Sequence, residues 1–141
     1  MSKPIVKIYF NNGCTSLLFN DSTTVQDMIK YVIKGRLSQH ELRFKKCFQL
    51  RATKFIDDKK IEVYFWLPFN LTIKETLKLF ANDDIDSWKI LLRVRYLPND
   101  LNEVKFKDRV TFTYFYEQVI ASAFFFNSFF IRPIFFIFIF R

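Results

Sequence analysis

A fixed order of strand-like and helix-like apolar segments constrains this chain more than any other feature. "IVKIYF" opens it, with Val6, Ile8 and Phe10 on one face and Lys7 and Tyr9 on the other. That alternation marks a half-buried strand. "NNG" follows, and an Asn-Gly pair favours a tight hairpin because Asn and Gly13 tolerate positive φ. "CTSLLF" then returns as a second strand, with Leu17 and Phe19 inward.

The next segment, "STTVQDMIKYVIKGRL", changes period. Val25, Met28, Ile29, Val32 and Ile33 recur at helical spacing, Thr23 and Gln26 form a capping-box pair, and Gly35 suits the position just past the helix end. "KCFQLRA" and "KIEVYFWLPF" read as two further strands, the second with Ile61, Val63, Phe65 and Leu67 on one face. Thr72 and Glu75 cap a short helix in "TIKETLKLFAN". In "WKILLRVRYLP", Ile90, Leu92, Val94 and Tyr96 alternate with Arg93 and Arg95, and Pro98 ends the strand. Two strands, a helix, two strands, a short helix and a last strand is the α+β order of a ubiquitin-like β-grasp.

After "NDLNEVKFKD", the segment "DRVTFTYFYEQVI" spaces Phe112, Phe115, Tyr116, Val119 and Ile120 for a helix starting near Asp108. A complete β-grasp has no place for this apolar stripe, so the helix reads as the start of a second lobe whose remainder is missing. The expected organisation is a ubiquitin-like lobe over 1–98, a linker over 99–107, a truncated second lobe over 108–120 and a tail over 121–141. On this reading a chain ending near Asn102 is a soluble, cooperatively folding lobe.

A ubiquitin-like lobe, a link and an aromatic-rich helix is how a FERM domain begins. "CFQLRA", "VYFWL", the Trp88 segment "WKILLRVRYLP" and "VTFTYFYEQV" resemble the first lobe and first second-lobe helix of the focal adhesion kinase family. The resemblance spans about Ile5 to Ile120. "VKIYFNNG" and "STTVQDMI" also resemble the FERM lobes of scaffolds that pair FERM with PDZ domains. The resemblance implies a cytoplasmic binding and regulatory module, peripheral to the plasma membrane or focal adhesions. In kinases of that family the FERM domain docks on the kinase domain to restrain it, and it engages receptor cytoplasmic tails and anionic membrane. The second lobe's remainder, the third lobe, the kinase domain and the targeting region lie outside these residues. The family's lipid patch and kinase-docking surface fall mainly there, so no binding residue is carried over.

Catalysis is argued against by the residues themselves. Gly13 and Gly35 are the only glycines, and neither a kinase Gly-rich loop nor a P-loop can be assembled from them. His40 is the only histidine and has no metal-ligand spacing with Cys14 or Cys47, which themselves make no disulfide framework. No catalytic, cofactor-binding or metal-binding residue is therefore expected, and no cofactor. "DDID" from Asp83 reads as a turn rather than a cation site, and the sequon at Asn70 is unused in a reducing compartment. "MSKPIVKIYF" is a short alternating segment and not an apolar run, so no secretory signal is expected in it. The net charge of +8 could serve acidic peptides, phosphoinositides or nucleic acid, but "RFKK" and "DDKK" are its densest runs. A solvated mixed-charge surface is the plainer reading, and no nucleic-acid motif accompanies it. Trp66 and Trp88 mark either a partner groove or, more simply, packing. Arg93 and Arg95 share a strand face with Leu91 and Leu97 that could receive acidic segments.

The tail is of another kind. Nine of the twenty Phe lie between Phe124 and Phe140. Ala121 to Phe140 is long enough to span a bilayer as a helix. Its Phe and Ile favour insertion by about 4 to 8 kcal/mol, against which Arg132 costs about 2.5 to 3.5. Pro133, Asn127 and Ser128 reduce the balance further. No Leu or Val appears after Val119, and the run interrupts the helix after "YFYEQVI". A reading frame entering pyrimidine-rich intron accounts for both features. The alternative is a tail-anchored protein displaying a ubiquitin-like domain to the cytosol.

Overall fold

The computed structural model describes residues 4–56, 61–80 and 87–126. Strands β1 (Ile5–Phe10) and β2 (Gly13–Leu18) form the expected hairpin, followed by helix α1 (Val25–Val32). Strands β3 (Phe48–Ile56) and β4 (Ile61–Trp66), helix α2 (Ile73–Leu79) and strand β5 (Trp88–Val94) complete the lobe. Helices α3 (Leu101–Lys107) and α4 (Arg109–Phe126) follow. One sheet takes the order β2-β1-β5-β3-β4, with β1 and β5 parallel and the other pairs antiparallel. This is the mixed, helix-covered sheet of a ubiquitin-like fold.

Alternation decides which face is buried. Val6 and Ile8 of β1, Phe48, Leu50 and Ala52 of β3, and Ile90, Leu92 and Val94 of β5 all point into the core. Val25, Met28, Ile29, Val32 and Ile33 meet them from α1, as their helical spacing requires. On β4 the pattern breaks: Phe65 packs against the core and Leu67 is buried, but Val63 is exposed.

Both short helices begin with a capping box, and the first sits one residue later than the sequence pattern implies. Thr24, not Thr23, is its N-cap, and the pair is closed by Asp27. The Thr23 hydroxyl is already engaged with Asn20, and its carbonyl accepts the Ile73 N–H at 2.9 Å. Thr24 is left free to cap. Its own partner across the lobe is Thr72, the N-cap of α2, which pairs with Glu75 as expected. Gly35 does not follow the helix end as a stop. It lies inside a π-turn over Ile33–Leu37, closed by Ser38 N–H to Ile33 carbonyl at 2.9 Å.

The largest departure is α4. The sequence pattern implies a stripe without a cover; the structure docks this helix on the lobe. β1 pairs with β5 only at Ile8–Ile90 and Tyr9–Leu91, because β1 then turns back through Asn11 and Asn12. Beyond that point the backbone of Leu92 and Val94 has no strand on the β1 side. Side chains of α4 fill the gap: the Tyr114 hydroxyl donates to the Leu92 carbonyl. The Gln118 amide accepts from Val94 N–H at 2.9 Å and donates to its carbonyl at 3.1 Å, imitating a strand partner. Asn11 of the hairpin turn donates to the Tyr114 carbonyl at 2.8 Å. The Tyr114 ring meets Phe48 edge-on at 5.2 Å, and Val110 and Phe115 also pack against the core.

Asp108 begins this helix, as the spacing implies. It is buried and accepts from Thr111 N–H, from the Thr111 hydroxyl at 2.6 Å, and from Phe44 N–H at 2.9 Å. The connecting residues 99–107 are themselves largely helical, since Asp100 caps α3. β5 ends at Val94, short of Pro98, and Tyr96 beyond it is exposed. The "DDKK" and "DDID" runs and tail residues 127–141 lie outside the described residues.

Burial holds the Tyr114 phenol well above the ordinary tyrosine range. An unfolded chain releases this proton near pH 10, whereas the folded chain keeps it. Its contribution is therefore complete below about pH 10 and is lost as pH rises further. Tyr114→Phe, which leaves the Leu92 carbonyl unpaired, should cost about 1–3 kcal/mol near neutral pH and flatten the alkaline slope. Urea unfolding at about pH 8 and about pH 10.5 checks both. A chain ending at Asn102 should unfold non-cooperatively, and one ending near Ala121 cooperatively, followed by tryptophan emission.

Candidate docking surfaces

The outward face of the sheet carries cations and aromatic rings in register. β3–β4 pairing sets Arg51 opposite Trp66 and Thr53 opposite Tyr64. β3–β5 pairing sets Gln49 opposite Arg93 and Arg51 opposite Leu91. With every second residue outward, these side chains share one surface. The Arg51 guanidinium lies 4.5 Å from the Tyr64 ring centre and 5.6 Å from that of Trp66. Arg95 lies 4.9 Å from Trp66 and 4.7 Å from Tyr96. Rings and guanidinia thus alternate as Tyr64, Arg51, Trp66, Arg95, Tyr96.

Polar contacts lock this stack. Arg51 reaches Glu62 at 2.8 Å and the Thr53 hydroxyl at 3.2 Å, and Arg95 donates to the Gln49 amide oxygen at 2.9 Å. Thr53 and Gln49 are buried beneath. Arg93 lies deeper: burial, then the nearby Arg51 charge, push its pKa down. Its Nε is buried with no hydrogen-bond partner among the described residues. The face is a cationic platform whose flat guanidinium surfaces are mostly used by its own rings.

A second surface is concave. A groove of about 640 Å³ runs between α1 and the 38–48 segment. Ile29, Ile33, Leu42 and Phe48 form its floor, and Phe69 stands at one end. Lys30 and Lys34 line one rim, Lys45 and Lys46 the other. All four lysines are exposed, and Glu41 pairs with Lys45. The far wall is tied to α4, because Phe44 N–H donates to Asp108.

The residues singled out from sequence divide between core and surface. Trp88 belongs to packing, stacked on Phe80 at 5.0 Å and edge-on to Phe65 at 5.6 Å. Trp66 belongs to the outer platform. Arg93 and Arg95 share that platform with Leu91, as alternation implies, but Leu97, beyond the end of β5, packs against the core instead. His40 is exposed and lines the groove, and Cys14 is exposed on the edge strand β2. Among the described residues no cluster of His, Cys, Asp and Glu could hold a metal ion. Burial, and secondarily Asp108, raise the Cys47 thiol pKa, which works against nucleophilic use. Sequence reasoning passed over Arg51, Tyr64, Lys30 and Lys34. Arg51 and Tyr64 alternate visibly within their strands, but only strand register sets them together.

A five-stranded mixed sheet in this order, covered by helices, defines a ubiquitin-like lobe. A model of the FERM N-terminal domain family matches residues 5–98, two thirds of the chain. The chain belongs to that family. Its matched part is a protein-binding module with no catalytic domain in it, and α4 lies beyond the match. No helix among the described residues is long and apolar enough to cross a membrane.

Arg51→Ala should leave Glu62, only 15 % exposed at its side chain, without its cation. The cost is expected at about 1–2 kcal/mol, discounted for partial exposure. Glu62→Gln in the same background should recover part of it, and a double-mutant cycle by urea unfolding checks the coupling.

Proposed function

We propose that this chain is the opening portion of the FERM region of a focal-adhesion-kinase-like non-receptor tyrosine kinase. Its own role is non-catalytic: in the complete protein the region docks on the kinase domain or on receptor cytoplasmic tails. One observation carries this reading. The two segments most similar to that family, "WKILLRVRYLP" and "VTFTYFYEQV", meet through the Tyr114–Leu92 and Gln118–Val94 contacts. The strand and helix segments that carry the resemblance thus have, in this chain, a physical reason to occur together. The resemblance to FERM/PDZ scaffolds is confined to the opening hairpin and the first helix.

Under this reading residues 1–98 act as the first lobe, 108–120 as the beginning of the second, and α3 as a short helical link. The protein would work in the cytoplasm, peripheral to the plasma membrane or focal adhesions, and the Phe-rich tail would not belong to it. A long-read transcript across the codons for Glu117 to Ala123 tests this directly. Reads that splice from near Ile120 into further FERM lobes and a kinase are the expected result. Mature transcripts that run through Arg141 and stop would overturn the kinase reading, and alkaline-resistant membrane flotation of that product would establish a tail anchor instead.

A further inference from the structure

The groove beside α1 combines an apolar floor with a rim of predominantly positive charge. Its floor is built by side chains that the fold must bury anyway, so an apolar base comes with the β-grasp. Its rim does not follow from folding. Lys30, in α1, and Lys34, in the π-turn that continues it, are four positions apart, and both line the groove. Lys45 and Lys46 occupy a 3₁₀ turn on the opposite bank. Four exposed like charges facing one cleft raise each other's cost, with Glu41 the one acidic residue lining the groove. That cost falls when an anion enters between them.

The π-turn shapes this site. Carrying the helix on through Ile33–Leu37 with i→i+5 closure widens the last turn and keeps Ile33 and Lys34 in the groove lining. Arg36 donates to the Thr15 hydroxyl at 3.3 Å, which anchors the turn to β2 from behind. The other bank is anchored by Asp108 through Phe44 N–H. Both walls are thus held by the fold rather than by each other, and the cleft between them stays open.

We propose that this groove docks an acidic segment of a partner protein that carries one or two large apolar side chains. The carboxylates bridge Lys30 and Lys34 to Lys45 and Lys46, and the apolar groups settle beside Leu42 and Phe69. Charge complementarity selects the occupant: the rim has four lysines against one glutamate. The Phe-rich tail of this chain contains no acidic residue and so does not match it. The outer sheet platform is a poorer receptor for carboxylates, since Arg51 and Arg95 already spend their faces on Tyr64, Trp66 and Tyr96. In the free protein Glu41 acts as an internal competitor by holding Lys45. This inference rests on the family's protein-binding role and needs no kinase, so its test is independent of the transcript.

The probe is a dye-labelled, acetylated heptapeptide of glutamates and leucines, titrated by anisotropy against the 141-residue chain in mild detergent. Binding is expected to weaken about tenfold or more when Lys30→Glu and Lys34→Glu are combined, and to weaken with salt. Glu41→Gln should instead tighten it about two- to threefold, a gain that a merely structural effect would not produce. Circular dichroism confirms that each variant is folded. Undetectable binding, binding indifferent to the Lys30/Lys34 reversal, or an equal loss from Lys7→Glu with Lys89→Glu on the other face each overturns the proposal. Lys30- and Lys34-dependent capture by phosphatidylserine vesicles without peptide binding overturns it too, and makes the groove a lipid site.

Discussion

The backbone of β5 beyond Leu91 is the constraint on which the structure depends. β5 is the middle strand of the sheet, and its Ile90, Leu92 and Val94 are buried in the core. Its β3 side is paired along the full strand, yet β1 leaves it after two residues to make the hairpin turn. A buried carbonyl or N–H without a partner costs about 1–3 kcal/mol, a large share of a small domain's stability. Tyr114 and Gln118 supply the missing partners from a helix that lies outside the matched lobe. Buried hydrogen bonds therefore tie α4 to the lobe.

That dependence organises the surfaces as well. Asp108, buried to cap α4, holds Phe44 and with it the bank carrying Lys45 and Lys46. On the other side of the sheet, Arg51 and Arg95 lie flat against rings and cover Thr53 and Gln49, polar residues that bare solvent exposure would have left outside the fold's interior. One side of the lobe is closed by its own stacked side chains and the other is left open and cationic. A binding module built this way separates the surface that stabilises from the surface that can receive.

Much of the architecture was readable in the residues. The hairpin, the α1 stripe, the Thr72–Glu75 box and the Ile90–Leu92–Val94 alternation are local patterns, and the structure keeps them. Errors arose where a distant group took a local one's place. Thr23 has the right spacing for a cap, but Asn20 and Ile73 engage it first. Gly35 looks like a helix stop, but a π-turn runs through it. The α4 stripe looked uncovered because nothing in its own residues announces that β1 stops short of β5's end. The groove was unreadable for the same reason: Lys34 and Lys46 are twelve positions apart in sequence and face each other only across the folded lobe.

What the sequence by itself determined is the period of each element, the face it buries and the order in which elements follow. These properties depend on side-chain alternation and capping over a few residues, and no partner is needed to establish them. Tertiary structure alone decided which helix completes the pairing of β5, which tryptophan packs against the core and which joins the outer face, and where the lysines gather. Each of these is set by strand register and by backbone groups left over after pairing, quantities that exist only once the chain has closed on itself.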